Sequence, residues 1–575
     1  MTAGNVYIKE LSAPKGYKLD TTVHSLKVEA GKTAVLNVSD VPKVTETLVD
    51  LFKIDMETGK ATAQGDAALA GAEFTWHYYD GLYTKNNLPE KATRTWATKT
   101  VAEKDSNGTV HYVTKLADAY KVSGDTFYTQ NEKSVLPLGT LTVEETKAPD
   151  GYLLDGAYMQ AGDRDSTEQI KGMYLTQITE DGELAVLSGS NQYSVSDQVI
   201  RGGVKIQKRD LETKDTKAQG SATLKDAAFA IISLNENPVL VEGKLYKKNE
   251  TVKTIQTGID GIATTTADLL PYGKYKLEET KAPEGYLTDG AKAIEFSITE
   301  NGKIVDLTDE SHSIYNQIKR GDLEGVKIGA GTHKRLANVP FKITSKTTGE
   351  SHIVVTDKNG QFSTASNWIS HKRNTNVGKS SEDGIWFGTS EPDDSKGALL
   401  YDTYEIEELA CESNKGMKLI PAFEVVVSRN KVTIDLGTLT DEYEKEISIH
   451  TTATDKKTGE KVIVAGKKVT IVDTVTLDGL EEGRKYQLKG WQMLKEENAE
   501  LLINGKRVES DYTFVADSEK MKVEISYTFD ASELGGQNLV TFEELYDLKN
   551  PEEPVKVAEH KDIDCLLYTS PSPRD

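Results

Sequence analysis

One twelve-residue pattern recurs along the chain and limits the folds that it can adopt. Three close copies read VYIKELSAPKGY at 6–17, LTVEETKAPDGY at 141–152 and YKLEETKAPEGY at 275–286. A weaker fourth copy reads YEIEELACESNKGM at 404–417. The first three copies end at Tyr17, Tyr152 and Tyr286, which are almost evenly spaced. Such a period predicts a string of similar domains, since one core rarely serves a chain of 575 residues.

Each copy has the pattern of a β-strand that ends in a turn. In the second copy Leu141, Val143 and Glu145 alternate, which places the glutamate on the apolar face of the strand. The A-P-x-G-Y tail stops the strand, because the residue before proline stays extended and glycine permits the following turn. Each copy therefore points a carboxylate at the core.

Two further signatures add a lysine and a carboxyl or carboxamide group in phase with apolar residues. The lysine signature reads LVDLFKIDMETG at 48–59 and GVKIQKRDLETK at 203–214, with Lys53 and Lys208 on the apolar face. The closing signature occurs three times, with the polar residue at Asp40, Asp197 and Asn316. Each complete unit thus carries lysine on an early strand, glutamate on a late one and Asp or Asn on the last.

These residue types allow two interpretations. The first is a set of buried ion pairs or solvated edge residues, which is the usual fate of Lys and Glu in a β-sandwich. The second is covalent: burial lowers the pKa of lysine and raises that of glutamate, so both can be neutral together. A neutral amine held against a carboxyl or carboxamide carbonyl, with a glutamic acid to move protons, would form an intramolecular isopeptide bond.

The three signatures together resemble the collagen-adhesin B-type and SpaA-like, prealbumin-like domains of Gram-positive surface proteins, over most of 1–445. The resemblance implies that the first-strand lysine joins the last-strand Asn or Asp, with the box glutamate as catalyst. The implied bonds join Lys53 to Asp197 with Glu145, and Lys208 to Asn316 with Glu279. In the first unit Glu10 and Asp40 are present but the partner lysine is missing, so no bond is expected there.

Residues 322–446 resemble a further SpaA-like domain. Lys327 and Glu408 fit the lysine and glutamate roles, while the acceptor is open between Asp435 and Asp441. The domain also holds three histidines, which lack metal-ligand spacing and are predicted to be surface residues: His333, His352 and His371.

Residues 447–564 resemble the VaFE or Thr-Gln ester domains of the same surface proteins. The resemblance makes Thr451 the hydroxyl that esterifies a late glutamine, supported by Asp473, Glu543 and His560. The partner glutamine, expected a few residues beyond Asp564, is missing. The tail CLLYTSPSPRD at 565–575 resembles the translation of a sequencing-library adapter, so an interior fragment without its signal peptide or anchor is expected.

The predicted fold class is all-β: tandem Ig-like or prealbumin-like β-sandwich domains in an elongated array, with short helices near 115–122 and 530–535. The expected divisions are a truncated SpaA/Cna-B-type domain at 1–45, two complete domains at 46–200 and 201–321, a SpaA-like domain at 322–446, a truncated ester-type domain at 447–564 and an adapter-derived tail at 565–575.

Composition excludes several function classes. With 69 Lys and Arg against 91 Asp and Glu, the net charge of −22 disfavours nucleic-acid binding. The sequence contains no run of about 20 apolar residues that would span a membrane. Two cysteines exclude a disulfide framework, and no cofactor or metal motif is present. No paired-carboxylate cleft or Ser/His/Asp set is found, so the only chemistry expected is autocatalytic cross-linking.

The resemblance implies the structural stalk of a cell-wall-anchored adhesin, stabilised by isopeptide and possible ester cross-links. The full-length protein is expected to be extracellular, attached to peptidoglycan by a sortase, and directed at an unknown host or cell-surface ligand. Two alternatives stay open. One is the shaft or basal subunit of a sortase-assembled pilus, although Tyr83-Thr-Lys-Asn86 lacks the proline of the pilin lysine motif. The other is a set of accessory β-domains in a large extracellular enzyme.

Overall fold

The structure, a computed structural model, is made almost entirely of β-strands. It describes residues 2–46, 50–160, 169–171, 173–181, 193–288, 291–331, 333–374, 384–443, 445–564 and 567–570. These residues include two 3-10 helices of three residues each, His371–Arg373 and Glu412–Asn414. The all-β prediction is confirmed. None of the described helices is long and apolar enough to cross a membrane.

The chain divides into two compact units. The first comprises Met1–Lys327, Arg335–Ser413 and Pro421–Leu439, and the second comprises Ile328–Lys334, Asn414–Ile420 and Thr440–Asp575.

The first unit begins with an antiparallel hairpin of Gly4–Lys9 and Val23–Val28. The closing signature around Asp40, VLNVSDVPK at 35–43, predicts a strand. This prediction is wrong, because these residues form no strand and Val35 and Val38 are exposed. In the complete domains the closing strand pairs with a lysine strand, and residues 2–46 contain no such strand to pair with. Asp40 is half-buried outside any sheet.

Residues 44–199 form a sandwich around Phe74, Trp76, Trp96 and Leu141. The strands of one sheet are, in spatial order, Tyr174–Ile178, Gly139–Lys147, Glu73–Tyr79, Arg94–Lys99 and Lys121–Gly124. Those of the facing sheet are Gln169–Lys171, Tyr152–Gln160, Tyr193–Val199, Leu51–Asp55, Val110–Thr114 and Val101–Lys104. A small third sheet contains Tyr128–Gln130, Lys133–Pro137 and Val44–Glu46.

Residues 201–316 form a second sandwich around Val204, Phe229, Tyr275 and Leu277. One sheet is centred on Arg201–Asp210, which pairs with Ile262–Thr264, Leu270–Pro271, Lys303–Leu307 and Ile314–Asn316. The other has the order Thr251–Gln256, Ala228–Ser233, Gly273–Lys281 and Ile294–Ile298. Val239–Val241 and Lys244–Tyr246 form a separate hairpin.

Residues 320–443 also form β-strands. One sheet has the order Ser351–Val355, Pro340–Ser345, Asp402–Glu408 and Phe423–Val427. The other strands of the region are Arg320–Gly329, Gln361–Ser363, Leu399–Leu400, Met417–Lys418 and Thr433–Tyr443.

The second unit contains a sandwich around Ile471, Val475, Leu488 and Leu545. One sheet has the order Ser448–Asp455, Val469–Asp478 and Lys520–Phe529. The other contains Val462–Val464, Leu567–Ser570, Asn538–Asp547, Lys485–Leu494 and Ala499–Glu500, with Glu509–Val515 on Lys485–Leu494 and Val555–His560 on Asn538–Asp547. Leu502–Ile503 and Lys506–Arg507 form a separate hairpin.

Parallel pairing of the first and last strands positions the reactive residues of each complete domain. Lys53 stands opposite Val195 in the pair of Leu51–Asp55 with Tyr193–Val199. Lys208 stands opposite Ile314 in the pair of Arg201–Asp210 with Ile314–Asn316. In both pairs the expected acceptor lies two residues beyond the partner of the lysine, on the same face of the sheet.

Two local predictions are wrong. The segments 115–122 and 530–535 contain turns, closed by bonds such as Tyr120 N to Ala117 O, because neighbouring residues enter strands and leave no room for a helix nucleus. His352 and His371 are buried, not superficial. Their rings pack on Phe387 and Trp386, respectively. His352 Nε2 contacts Glu350 Oε1, and His371 Nε2 contacts the Thr364 carbonyl.

Candidate cross-linking sites

The first complete domain brings its three predicted residues together in a dry site. Lys53 lies at the centre of Leu51–Asp55, and its Nζ is 2.5 Å from Glu145 Oε2 and 2.5 Å from Asp197 Oδ1. The side chains of Lys53 and Asp197 are 0% exposed, and that of Glu145 is 2% exposed. The amine is therefore in contact with both carboxyl groups and screened from water.

Burial sets the protonation of this site. Loss of solvent raises the pKa of Glu145 to about 8, against the opposing charge of Lys53. Burial also raises the pKa of Asp197, again with Lys53 opposing. Glu145 is therefore a neutral carboxylic acid at pH 7, placed beside the amine and the acceptor.

The second complete domain repeats the arrangement with a carboxamide acceptor. Lys208 Nζ lies 2.8 Å from Glu279 Oε1, and both side chains are buried. Asn316 Nδ2 donates to Glu279 Oε2 at 2.7 Å and to the Leu287 carbonyl at 2.5 Å. Burial lowers the pKa of Lys208 to about 8, with Glu279 opposing. The two oxygens of Glu279 thus contact the Lys208 amine and the Asn316 amide nitrogen separately.

The two other repeats, around Glu10 and Glu408, contain parts of the same site. Lys327 Nζ donates to Glu408 Oε2 at 2.9 Å, and both side chains are fully buried. Of the two candidate acceptors, Asp435 is exposed and Asp441 is fully buried. In the N-terminal repeat Glu10 is half-buried, and its Oε2 accepts a hydrogen bond from the backbone N–H of Asp20 at 2.6 Å.

A phenylalanine that the sequence analysis did not single out completes each site. Phe74 stands directly opposite Glu145 on the neighbouring strand, and Phe229 and Phe341 stand opposite Glu279 and Glu408. The lysine Nζ atoms lie 6.0 and 5.6 Å from the ring centroids of Phe74 and Phe229. The rings form an apolar wall that excludes water, and the repeated A-E-F and A-A-F segments were the available signal.

A second missed contact ties the lysine strand to the A-P-x-G-Y turn. Tyr152 Oη donates to Asp55 Oδ2 at 2.9 Å, and Tyr286 Oη donates to Asp210 Oδ2 at 2.8 Å. Each aspartate lies two positions after its lysine. Burial and the negative charge of Asp55 raise the pKa of Tyr152, which keeps the phenol a donor. The tyrosine therefore fixes the end of the strand that carries the lysine.

The predicted ester-site residues lie on both sheets of the last sandwich. Thr451 and Asp473 share one face of an antiparallel pair, where Thr451 stands opposite Val475 and Asp473 opposite Ala453. On the other sheet Glu543 stands opposite His560, with His560 Nδ1 3.7 Å from Glu543 Oε2. Asp473 and Glu543 are fully buried, and the hydroxyl oxygen of Thr451 is buried as well. The expected glutamine position, a few residues beyond Asp564, lies past the described range 445–564.

Tyr527 joins this group, and the sequence analysis did not identify it. Burial, first of all, and the charges of Glu543 and Asp473 raise the pKa of its phenol. Gly490 stands opposite Glu543, and a Cβ at Gly490 would lie 1.8 Å from the Tyr527 oxygen. The absence of a side chain at 490 therefore gives the phenol its place beside Glu543.

Within the described ranges, no group of three or more His, Cys, Asp or Glu side chains is arranged to hold a metal ion. Cys411 is half-buried, and the predicted tail residue Cys565 lies outside the described residues.

Structural comparison finds an adhesin and a pilin among the similar chains. The Bacillus anthracis TIE protein is 14% identical, with 92% of this chain and 73% of that chain covered and a TM-score of 0.29. A Mobiluncus mulieris adhesin containing intramolecular disulfide, isopeptide and ester bonds is 20% identical, covering 22% of this chain and 58% of that chain, with a TM-score of 0.19. The Lactobacillus rhamnosus GG shaft pilin SpaA is 14% identical, covering 43% and 98%, with a TM-score of 0.16.

Two family profiles match parts of the chain, and no curated protein gives a significant match. The profile described as the SpaA prealbumin-like fold domain matches residues 209–311. The profile described as the T-Q ester bond containing domain matches residues 447–564. The resemblance found in the sequence is confirmed for these segments: the chain carries a SpaA prealbumin-like domain followed by a T-Q ester bond containing domain.

Proposed function

We propose that this chain is the structural stalk of a cell-wall-anchored surface adhesin and that its domains close with intramolecular isopeptide bonds. One repeated observation carries the proposal: in two successive sandwiches a fully buried lysine touches a buried glutamate, with a buried acceptor on the adjacent parallel strand. Isolated charges are costly to bury, and a neutral amide would remove that cost.

The Lys208–Asn316 reaction follows from the position of Glu279. Neutral Lys208 Nζ attacks the Asn316 side-chain carbonyl carbon, and Glu279 accepts the proton that the amine loses. Glu279 then returns a proton to Asn316 Nδ2, which leaves as ammonia. The new amide joins Nζ to Cγ, and Glu279 ends in its starting protonation state.

The Lys53–Asp197 reaction expels water. Lys53 Nζ, as the free amine, attacks Cγ of protonated Asp197, and the proton on Glu145 polarises the acceptor and passes to the departing hydroxyl, which leaves as water. The Glu145 carboxylate then takes up the proton that Nζ loses, so that Glu145 ends in its starting state. Because the three groups already touch, the step needs little rearrangement, and enforced contact replaces a high reactant concentration.

The proposed bonds would shorten the path of mechanical force. Force entering a domain at the lysine strand would pass through the isopeptide bond to the adjacent acceptor strand and leave toward the next domain. Each acceptor is followed closely by the lysine of the next domain, Asp197 by Lys208 and Asn316 by Lys327, at the same spacing. The residues between each lysine and its acceptor would then lie outside the force path, which suits a stalk.

The same proposal places the protein outside the cell. Peptidoglycan attachment by a sortase, and a ligand on a host or neighbouring cell, would be properties of the full-length protein. The matched families are structural domains, which supports a non-enzymatic role. In the last domain Thr451 would esterify a glutamine, with Asp473, Glu543 and His560 moving protons.

Removal of a catalytic glutamate is expected to abolish its bond. Intact and peptide-level mass spectrometry of the full chain should show loss of one water at Lys53–Asp197 and one ammonia at Lys208–Asn316. Glu279→Ala should abolish the loss of ammonia at Lys208–Asn316, and Glu145→Ala should abolish the loss of water at Lys53–Asp197. Glu278→Ala is the matched control, because Glu278 is adjacent and half exposed, and it should leave both bonds intact. An unshifted mass for folded wild-type protein would contradict the proposal.

Loss of the second cross-link should destabilise its domain selectively. Closing a loop of roughly 100 residues is worth about 5 kcal/mol of unfolding free energy in the chain-entropy treatment. Asn316→Ala in the full chain is expected to lower the free energy of unfolding of 201–321 by about that amount, as measured by pulse proteolysis in urea with fragments identified by mass. Fragments of 46–200 are the internal control and should keep wild-type resistance.

The uncross-linked second domain should gain stability with rising pH. Burial lowers the pKa of Lys208 from 10.5 to about 8, so between these values the unfolded chain holds a proton that the folded chain lacks. In Asn316→Ala the free energy of unfolding of this domain should therefore rise from about pH 8 to about pH 10.5. Adding Lys208→Met should remove the slope, and a slope that persists would contradict the assignment.

Supplying a glutamine should complete the ester site. Replacing 565–575 with the closing strand of a T-Q ester domain that carries its glutamine is expected to produce loss of one ammonia at Thr451. Thr451→Val should prevent it, whereas Thr452→Val, which changes the exposed neighbour, should not. Ester formation that survives Thr451→Val would show that another hydroxyl reacts.

A further inference from the structure

The two complete domains share a second buried cluster, at the point where each meets the next domain. We name these junction cluster 1, formed by Glu57, Gln64, Gln198 and Arg201, and junction cluster 2, formed by Glu212, Gln219, Gln317 and Arg320. The two clusters have identical sequence offsets: the glutamate and the first glutamine follow the lysine at matching positions, and the second glutamine and the arginine follow the acceptor at matching positions.

In junction cluster 1 the carboxylate of Glu57 accepts hydrogen bonds from all three other side chains. Arg201 Nε and Nη2 donate to the two oxygens of Glu57, each at 2.6 Å. Gln198 Nε2 donates to Glu57 Oε1 at 2.5 Å, and Gln64 Nε2 donates to Glu57 Oε2 at 2.8 Å. A two-point arginine contact of this kind fixes direction as well as distance.

Junction cluster 2 has the same connections and is more deeply buried. Arg320 Nη2 donates to Glu212 Oε2 at 2.8 Å, and Gln317 Nε2 donates to Glu212 Oε1 at 2.5 Å. The Arg320 and Glu212 side chains are 1% and 2% exposed. Burial opposes the charge on Glu212, yet the hydrogen bonds and charge of Arg320 lower its pKa to about 2. The carboxylate is therefore ionised at any physiological pH.

The arginine of each cluster is held by the following domain. Arg201 also donates to the carbonyls of Leu240 and Leu269, at 2.7 and 2.8 Å. Arg320 donates to the carbonyls of Phe387 and Ala398, at 3.0 and 3.1 Å. These carbonyls are in place only when the following domain is folded, so the guanidinium is preorganised by that domain.

A tyrosine of the following domain strengthens each junction. The carbonyl of Tyr272 accepts a hydrogen bond from Asp66 N at 3.3 Å, and its ring covers the glycine of the A-P-x-G-Y turn, Gly151. Tyr401 covers Gly285 in the same way. A Cβ on either glycine would lie within 3.0 Å of the tyrosine ring, so these glycines serve the junction as well as the turn.

The other side of each cluster controls the reacting strands. Glu57 follows the end of the lysine strand, and Gln198 is the residue after the acceptor Asp197. Next to them Met56 N donates to the Asp197 carbonyl at 3.0 Å, and Leu211 N donates to the Asn316 carbonyl at 2.9 Å in the second domain. The cluster therefore fastens the lysine strand to the acceptor strand beside the reacting atoms.

We infer that Glu57 with Arg201, and Glu212 with Arg320, are positioning residues through which each folded domain sets the strand register of the domain before it and so accelerates its isopeptide bond. This inference rests on the proposed isopeptide function. The residue four positions after Lys327 is Gly331, so the third lysine domain lacks the cluster glutamate and should form any bond without this assistance.

The test measures how fast each of the two isopeptide bonds forms within the same chain. Full-length chain made by cell-free translation is sampled over time, denatured and digested, and the two cross-linked peptides are quantified. Glu57→Gln keeps the shape of the side chain and removes its charge. It should slow the Lys53–Asp197 bond about tenfold, the effect of losing one charge-assisted contact, and leave the Lys208–Asn316 bond at its wild-type rate. Glu212→Gln should do the reverse.

A second variant separates positioning from folding of the first domain. Leu277→Asp places a charge in the fully buried core of 201–321 and touches neither junction cluster 1 nor the first site. It should abolish the Lys208–Asn316 bond and slow Lys53–Asp197 about tenfold. If the junction were purely structural, Glu57→Gln would lower resistance to urea without changing the rate at which the Lys53–Asp197 bond forms. Wild-type rates for Lys53–Asp197 in either variant overturn the inference, whereas absence of both bonds in the wild type overturns the proposed function instead.

Discussion

The buried contact between a lysine and a glutamate is the constraint on which each lysine-bearing sandwich depends. An ion pair in a dry core loses its hydration, and its mutual attraction repays that loss only when geometry and hydrogen bonding are good. The structure meets this condition by placing Lys53 and Glu145 on facing sheets, with Phe74 as an apolar wall. The same burial that makes the pair costly moves the pKa of Glu145 upward and prepares the groups to react. Energetic cost and chemical competence therefore have one cause, desolvation.

That contact also dictates the topology. A lysine near the start of a domain can meet an acceptor near its end only if the first and last strands are neighbours, and here they pair in parallel. The closing strand then runs almost directly into the first strand of the next domain, since Tyr193–Val199 is followed by Arg201–Asp210. Such continuity places the junction clusters beside the reaction sites. The proposed cross-link, the domain order and the junction are thus consequences of one strand arrangement.

The last sandwich applies the same physics with different residues. A threonine hydroxyl is a weaker nucleophile than a free amine, so it needs a larger set of proton-accepting groups. Asp473 and Glu543 are both fully buried, and Tyr527 extends between the sheets toward them. Gly490 permits this approach because any side chain there would collide with the phenol. The two proposed bond chemistries thus share one requirement, which is a polar group held in a dry core.

The sequence by itself determined the all-β class and pointed the repeated lysine, glutamate and Asp or Asn side chains at the core, because alternation with period two places a polar residue on the apolar face whatever its partners. It misplaced the closing strand at 35–43, the two short helices and the buried histidines, since these depend on which strand or core lies opposite. Only the tertiary structure decided that Phe74, Tyr152 and Tyr527 belong to the sites. The same is true of the Glu57–Arg201 junction, in which residues 144 positions apart meet. Contacts between distant strands leave no periodic signal within either strand, so they become visible only when the sheets are assembled.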